Sequence, residues 1–160
     1  MTIYAIALGS NRRGPHGSPA ETVRAAAAAI GARQLSRIRA TPPLGPAGRA
    51  FANAAAIVES RLEPPEMLGQ LKAVERAFGR RPGRRWGPRI LDLDIILWSE
   101  GPYAADGLVI PHPAYRERLF VLEPLVDLAP ERRDPLTGRS VRQLIALRRR
   151  RAVDPDRGHA

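Results

Sequence analysis

Cysteine is absent from the 160-residue chain, which excludes a disulfide framework and any thiolate-held metal and suits a reducing compartment. No apolar stretch reaches the ~18 residues that a membrane-crossing helix needs. The opening MTIYAIALG is apolar but has no basic leader, so it reads as a first strand rather than a targeting signal. A soluble, cytoplasmic protein is the expectation. A phosphate-binding Walker A sequence is missing too: GSNRRGPHGS lacks both a lysine and the G-K-[ST] ending, so any nucleotide must be held another way. Lysine itself is almost missing. Lys72 is the only one among 26 basic residues, which face 16 acidic ones for a net charge of +10. Aromatics are scarce as well, with three Phe, three Tyr and two Trp, so their positions carry information.

What is present is arginine, and it is unevenly placed. A field of this sign suits a nucleic acid, an anionic membrane surface or a phosphorylated substrate. Arg148–Arg151 precede the polar end DPDRGHA, and residues 148–160 read as a basic, frayed tail. Residues 80–89 are different. Arg80, Arg81, Arg84, Arg85 and Arg89 stand there without an acidic neighbour, and Pro82, Gly83, Gly87 and Pro88 prevent a helix. The segment reads as a mobile basic loop feeding the next strand.

Chain length fits one domain with its own core, placed at 1–147. TIYAIAL (2–8) alternates as a strand ended by Gly9. Ser18, Pro19 and Glu21 supply an N-cap, a first-turn proline and a capping-box partner, opening an alanine-rich helix that stops at Gly31. RQLSRIRAT (33–41) and FANAAAIVES (51–60) read as strands around the rigid loop 42–50. A second helix begins at Pro64-Pro65-Glu66, keeps Met67, Leu68, Leu71, Val74, Ala77 and Phe78 at helical spacing, and ends at Gly79. With a strand over 90–98 the order is β-α-β-β-α-β. That is the ferredoxin-like pattern: an α+β fold with helices on one face of a mainly antiparallel sheet. Extra C-terminal elements follow: a loop and short strand over 99–119, a short apolar turn or helix over 120–130, and a last helix capped by Ser140.

RWGPRILDLDIIL (85–97) carries the chemistry. In a strand Leu91, Leu93, Ile95 and Leu97 share one face and Ile90, Asp92, Asp94 and Ile96 the other. The two carboxylates then lie roughly 7 Å apart and repel unless a cation joins them. Hard oxygen ligands suit Mg²⁺, which takes one or two carboxylates and completes its shell with water and phosphate oxygens. A solvated edge strand, or aspartates paired with arginines, accounts for D-x-D equally well. His112, in Ile110-Pro111-His112-Pro113, sits on a stiff extended segment that would hold an imidazole in place.

LGSN (8–11), TPPLGP (41–46) with FAN (51–53), RWGPRILDLDIIL (85–97) and IPHPAYRERLFVLEPL (110–125) together closely resemble the 6-hydroxymethyl-7,8-dihydropterin pyrophosphokinase family of folate biosynthesis. The resemblance implies a monomeric Mg²⁺-dependent transferase with ATP as co-substrate and two Mg²⁺ ions. It moves the pyrophosphoryl group of ATP to the hydroxymethyl oxygen of the pterin and releases AMP. By the same resemblance, Asp92 and Asp94 hold the metals, and Arg80 and Arg89 clamp the triphosphate. His112 and Arg118 lie on the ATP side. Phe51 and Phe120 sandwich the pterin, Asn53 reads its polar edge, and Thr41, Pro42 and Leu44 complete the pocket under Trp86. No nucleic acid or membrane is implied. The chain departs from the family where Phe51 replaces a tyrosine, where Gly107 and Val109 replace polar residues, and in the loop after Gly79, which is about one residue shorter.

Two other functions compete on the residues alone. A ferredoxin-like sheet with positive charge suits RNA binding, although no RNP1-like K/R-G-F/Y pattern occurs. A metal-dependent phosphoesterase would use the same aspartates and release phosphate from ATP without a pterin acceptor.

Overall fold

A computed structural model describes residues 1–41, 50–79 and 90–153. Pro42, Leu44, Arg80, Trp86, Arg89 and the end of the chain from 154 lie outside the described residues, as does the side chain of Thr41. The fold is mixed α/β, with a wholly antiparallel sheet and four α-helices among the described residues.

The long strands are β1 (Thr2–Ser10) and β4 (Phe51–Ser60), with all of β1 paired to residues 52–60 of β4. The expected strand over 33–41 is broken into β2 (Gln34–Leu35) and β3 (Arg39–Thr41), both paired with β4. Ser36 lies at the break: its Oγ accepts from the Ala55 N–H at 2.9 Å and donates to the Arg37 carbonyl at 3.0 Å. β5 (Asp92–Trp98) pairs with the other side of β1, giving the order β2-β4-β1-β5. A hairpin of β6 (Tyr103–Ala105) and β7 (Leu108–Ile110) follows.

The helix ends read from sequence are present. α1 (Pro19–Ala29) has the full capping box, with Ser18 Oγ accepting from the Glu21 N–H and Glu21 returning to the Ser18 N–H. α2 (Pro64–Ala77) ends just before Gly79, whose φ of 105° suits a residue without a side chain. The apolar run after Arg118 is α3 (Leu119–Leu128). α4 (Val141–Val153) is capped by Ser140 and Gln143, and runs helically through Arg148–Arg151, beyond the boundary expected at residue 147.

Helices cover both faces of the sheet, not one. Tyr4, Ile6, Leu8, Ala54, Ala56, Leu93 and Ile95 face Val23 and Ala26 of α1 and Met67 and Leu71 of α2. Ala5, Ala55 and Ile96 face Val121, Leu122 and Leu125 of α3 and Val141, Leu144 and Ile145 of α4. The second layer is accommodated by alanines, whose small side chains let α3 lie close over β4. β5 also departs from simple alternation. Ala5 pairs with Leu97 but Ile6 with Ile95, so Ile96 is an extra residue and the strand is bulged. Leu97 therefore joins Ile96 on the α3–α4 face rather than continuing the row of Leu91, Leu93 and Ile95.

Candidate active site

The site begins as a row across the sheet. Asp92 on β5 pairs with Gly9 on β1, Gly9 with Asn53 on β4, and Asn53 with Arg39 on β3. In the next row Asp94 pairs with Ala7 and Ala7 with Ala55. Asp92 and Asn53 are thus two strands apart, roughly 10 Å at ordinary strand spacing. Between them the strand offers only Gly9 and Ala7, leaving a trough. A Cβ at Gly9 would lie 3.2 Å from Asn53 Oδ1 and 3.8 Å from Phe51 Cδ1, so a side chain there would crowd Asn53.

Segment 112–121 forms the other wall. The His112 N–H donates to the Ile96 carbonyl at 3.0 Å, fixing this segment to the bulge in β5. His112 Nδ1 accepts from the Ala114 N–H at 3.1 Å, which leaves Nε2 to carry the proton of the neutral ring. Burial lowers the pKa of His112 and Arg118 adds to this, against the opposing pull of Asp94 and Asp92. The neutral imidazole is therefore favoured near pH 7 as a fixed hydrogen-bond donor. The Arg118 guanidinium lies over the Phe120 ring, 5.6 Å from its centroid. Arg118 makes no salt bridge to a carboxylate among the described residues. Arg39 Nη2 holds Asp127 Oδ1 at 2.7 Å, joining β3 to α3 and so one wall to the other.

The result is an open cleft of about 340 Å³ lined by Phe51, Asn53, Asp92, Asp94, His112, Arg118 and Phe120, with Ala7, Leu8, Gly9, Ile96 and Val121. All seven of those first residues were expected in the site, and they come from β4, β5 and the turn into α3. Phe120 is 41 % exposed although it is a large apolar ring, which suits a face kept for a ligand. Thr41 ends β3 opposite Phe51, next to this cleft. The two carboxylates form an all-oxygen donor pair on one strand face, which fits Mg²⁺. Among the described residues no group of three or more His, Cys, Asp or Glu could itself hold a metal, so water and substrate oxygens would complete the shell.

Two residues of the site were not anticipated as such. Gly9 reads from the sequence as a strand end within LGSN, with no role of its own. Glu75 of α2 is 4 % exposed, and its Oε2 accepts from the Leu93 N–H at 2.8 Å, between the two aspartates. Its signal in the sequence was a charge on the stripe Met67, Leu71, Glu75, Phe78, where every neighbour is apolar.

The chain is also similar to known proteins. Residues 5–130 match the family described as 7,8-dihydro-6-hydroxymethylpterin-pyrophosphokinase. Proteins named 2-amino-4-hydroxy-6-hydroxymethyldihydropteridine pyrophosphokinase from Methylorubrum extorquens and Pseudomonas aeruginosa are 36% and 40% identical. The aligned regions cover 91% of this chain and 93% of the first relative, and 88% of each partner for the second. A Synechocystis protein of the same name is 42% identical over 63% of this chain, and the chain spans only 52% of its length. Among solved structures, a Plasmodium falciparum HPPK-DHPS crystal structure superposes with a TM-score of 0.75 at 14% identity, covering 96% of this chain and 46% of that one.

Proposed function

Because the chain belongs to the 7,8-dihydro-6-hydroxymethylpterin-pyrophosphokinase family, we propose that it transfers pyrophosphate from ATP to the hydroxymethyl group of 6-hydroxymethyl-7,8-dihydropterin, with Mg²⁺, in folate biosynthesis. The observation that carries this reading is the pairing, in one cleft, of an acidic-and-basic half with an aromatic-and-amide half. Asp92, Asp94, His112 and Arg118 suit a metal-bound triphosphate, and Phe51, Asn53 and Phe120 suit a flat polar heterocycle.

In the transfer, the hydroxymethyl oxygen bonds to the β-phosphorus and the bond from that phosphorus to the α–β bridging oxygen breaks. AMP leaves and the hydroxyl proton passes to solvent. Mg²⁺ held by Asp92 and Asp94 would neutralise charge on the phosphate oxygens. Arg118 and neutral His112 donate to those oxygens, while Arg80 and Arg89 are the triphosphate clamps by family likeness. Phe51 and Phe120 stack the pterin and Asn53 orients it, which brings the hydroxyl towards the phosphate half. Thr41, Pro42, Leu44 and Trp86 complete the pterin pocket in this reading. We read the sheet order as a ferredoxin-like core, the protein as a cytoplasmic monomer and the metal complement as two ions. No helix among the described residues is long and apolar enough to cross a membrane.

Incubation with Mg·ATP and 6-hydroxymethyl-7,8-dihydropterin should give AMP in equal amount to the pterin diphosphate. Phosphate release from ATP alone, without AMP, would instead favour the phosphoesterase reading. Phe120→Ala should weaken pterin binding by about 1 kcal/mol or more, because one stacking face is lost. Its Mg·ATP affinity should fall less than its pterin affinity, since the ring meets the ATP side through the Arg118 guanidinium lying over it. Calorimetric titration with each ligand separately checks this, and a loss of ATP affinity with pterin binding spared would exchange the two halves of the cleft.

A further inference from the structure

We propose that Glu75 is a positioning residue for the aspartate pair, a role that rests on the pyrophosphokinase reading above. β5 is the edge of the sheet, with β1 on one side only. Alternate residues of an antiparallel strand direct their N–H groups to opposite edges. Asp92 and Asp94 pair with Gly9 and Ala7, and the intervening Leu93 turns its N–H away from β1. Leu93 is buried at 4 % exposure, so without a partner that N–H would be an orphan in the core. Glu75 Oε2, reaching over from the last turn of α2, accepts it at 2.8 Å.

The bond fixes the peptide plane between the two aspartates. The direction of each Cα–Cβ bond follows from that plane, so the separation and aim of both carboxylates are set from α2. A carboxylate on this apolar helix stripe has no packing advantage over leucine, the residue one turn earlier at Leu71. What the carboxylate supplies at this point is an acceptor for the Leu93 N–H. Glu75 reaches this amide from the face opposite the aspartate side chains, so it orders the strand without joining the cleft lining. Partners of this kind, one bond removed from a metal ligand, typically change metal affinity or activity by 10–100-fold when lost.

Geometry and charge can be separated with two variants. Glu75→Gln keeps the length and a carbonyl acceptor but removes the charge, whereas Glu75→Asp keeps the charge but falls one methylene short. Mn²⁺ binding is read by electron paramagnetic resonance with a non-hydrolysable ATP analogue present, and the Leu93 amide by ¹⁵N–¹H NMR. Glu75→Gln should retain most of the Mn²⁺ affinity and the downfield Leu93 proton. Glu75→Asp should lose about 10–100-fold in Mn²⁺ affinity and move the Leu93 resonance. Wild-type behaviour of Glu75→Asp, or a Glu75→Gln variant as impaired as Glu75→Asp, would overturn the proposal. Neither readout needs turnover, so a wild-type protein that makes no AMP would sink the functional reading without imitating either result.

Discussion

Replacing Asp94 by alanine is expected to lower turnover by at least about 100-fold, the scale seen when one preorganised electrostatic partner of the reacting group is removed. Asp92→Ala should do the same. Both side chains are on the cleft face of an edge strand and only half-buried, so neither contributes to the two apolar cores. The thermal midpoint should therefore stay within a few degrees of wild type, roughly the scatter of a surface substitution. If the carboxylates serve the phosphate half of the cleft as proposed, the loss should fall on kcat rather than on pterin affinity. AMP formation at saturating Mg²⁺, together with a circular-dichroism melt, checks both parts. Near-normal turnover in Asp94→Ala would remove the metal assignment.

Asp134→Ala is expected to damage the fold instead. Asp134 is buried, and its carboxylate accepts from the Tyr115 hydroxyl at 2.8 Å, from Arg116 through Nε and Nη2, and from the Leu136 N–H at 2.8 Å. Truncation leaves a buried phenol and a mostly buried guanidinium without their acceptor. Breaking a buried pair in this way costs about 3 kcal/mol, which at this chain length lowers Tm by roughly 6–12 °C. The network ties the turn at Tyr115–Glu117 to the loop before α4. His112 and Arg118 flank that turn, so the phosphate half of the cleft should loosen with it. Thermal unfolding measures the first effect and Mg·ATP affinity the second. An unchanged Tm would show that the network contributes nothing.

The same carboxylate gives the fold an acid limit. Burial alone would raise its pKa, but the hydrogen bonds from Arg116, the Leu136 N–H and Tyr115 outweigh that and hold it down at about 2. A carboxyl depressed in the folded state stabilises it fully above the unfolded pKa of 3.8 and loses that contribution as pH falls through about 2. The stability at stake is roughly 2 kcal/mol. Denaturation profiles of wild type should steepen below pH 4, and Asp134→Asn should flatten that portion of the curve. An identical acid profile in the variant would place the sensitivity on another group.

How far this protein could be read from its residues follows from the range of the interactions involved. The ends of α1, the start of α2 and the cap of α4 are written within four residues of themselves, because an N-cap bonds its own first turn. Asp92 and Asp94 declared themselves as charges in an aliphatic strand, and the four sequence blocks identified the partners that fold against them. Other features depend on contacts between distant segments. The second helical layer exists because Ala5 and Ala55 are small enough for α3 and α4 to cover the other side of β1 and β4; alternation in β1 was legible, but not what would lie over its weaker face. The break at Ser36 depends on an amide of β4, nineteen residues away. The bulge at Ile96 depends on register with β1, and it turns Leu97 to the opposite face. Glu75 is one charge among several on α2 in the sequence, and only the packing of α2 on β5 brings its carboxylate to 2.8 Å from the Leu93 N–H. Sequence singled out the candidate residues that come together in one cleft. Tertiary structure decided how they are held, because an edge strand's outward amides find their partners only when a distant helix packs against them.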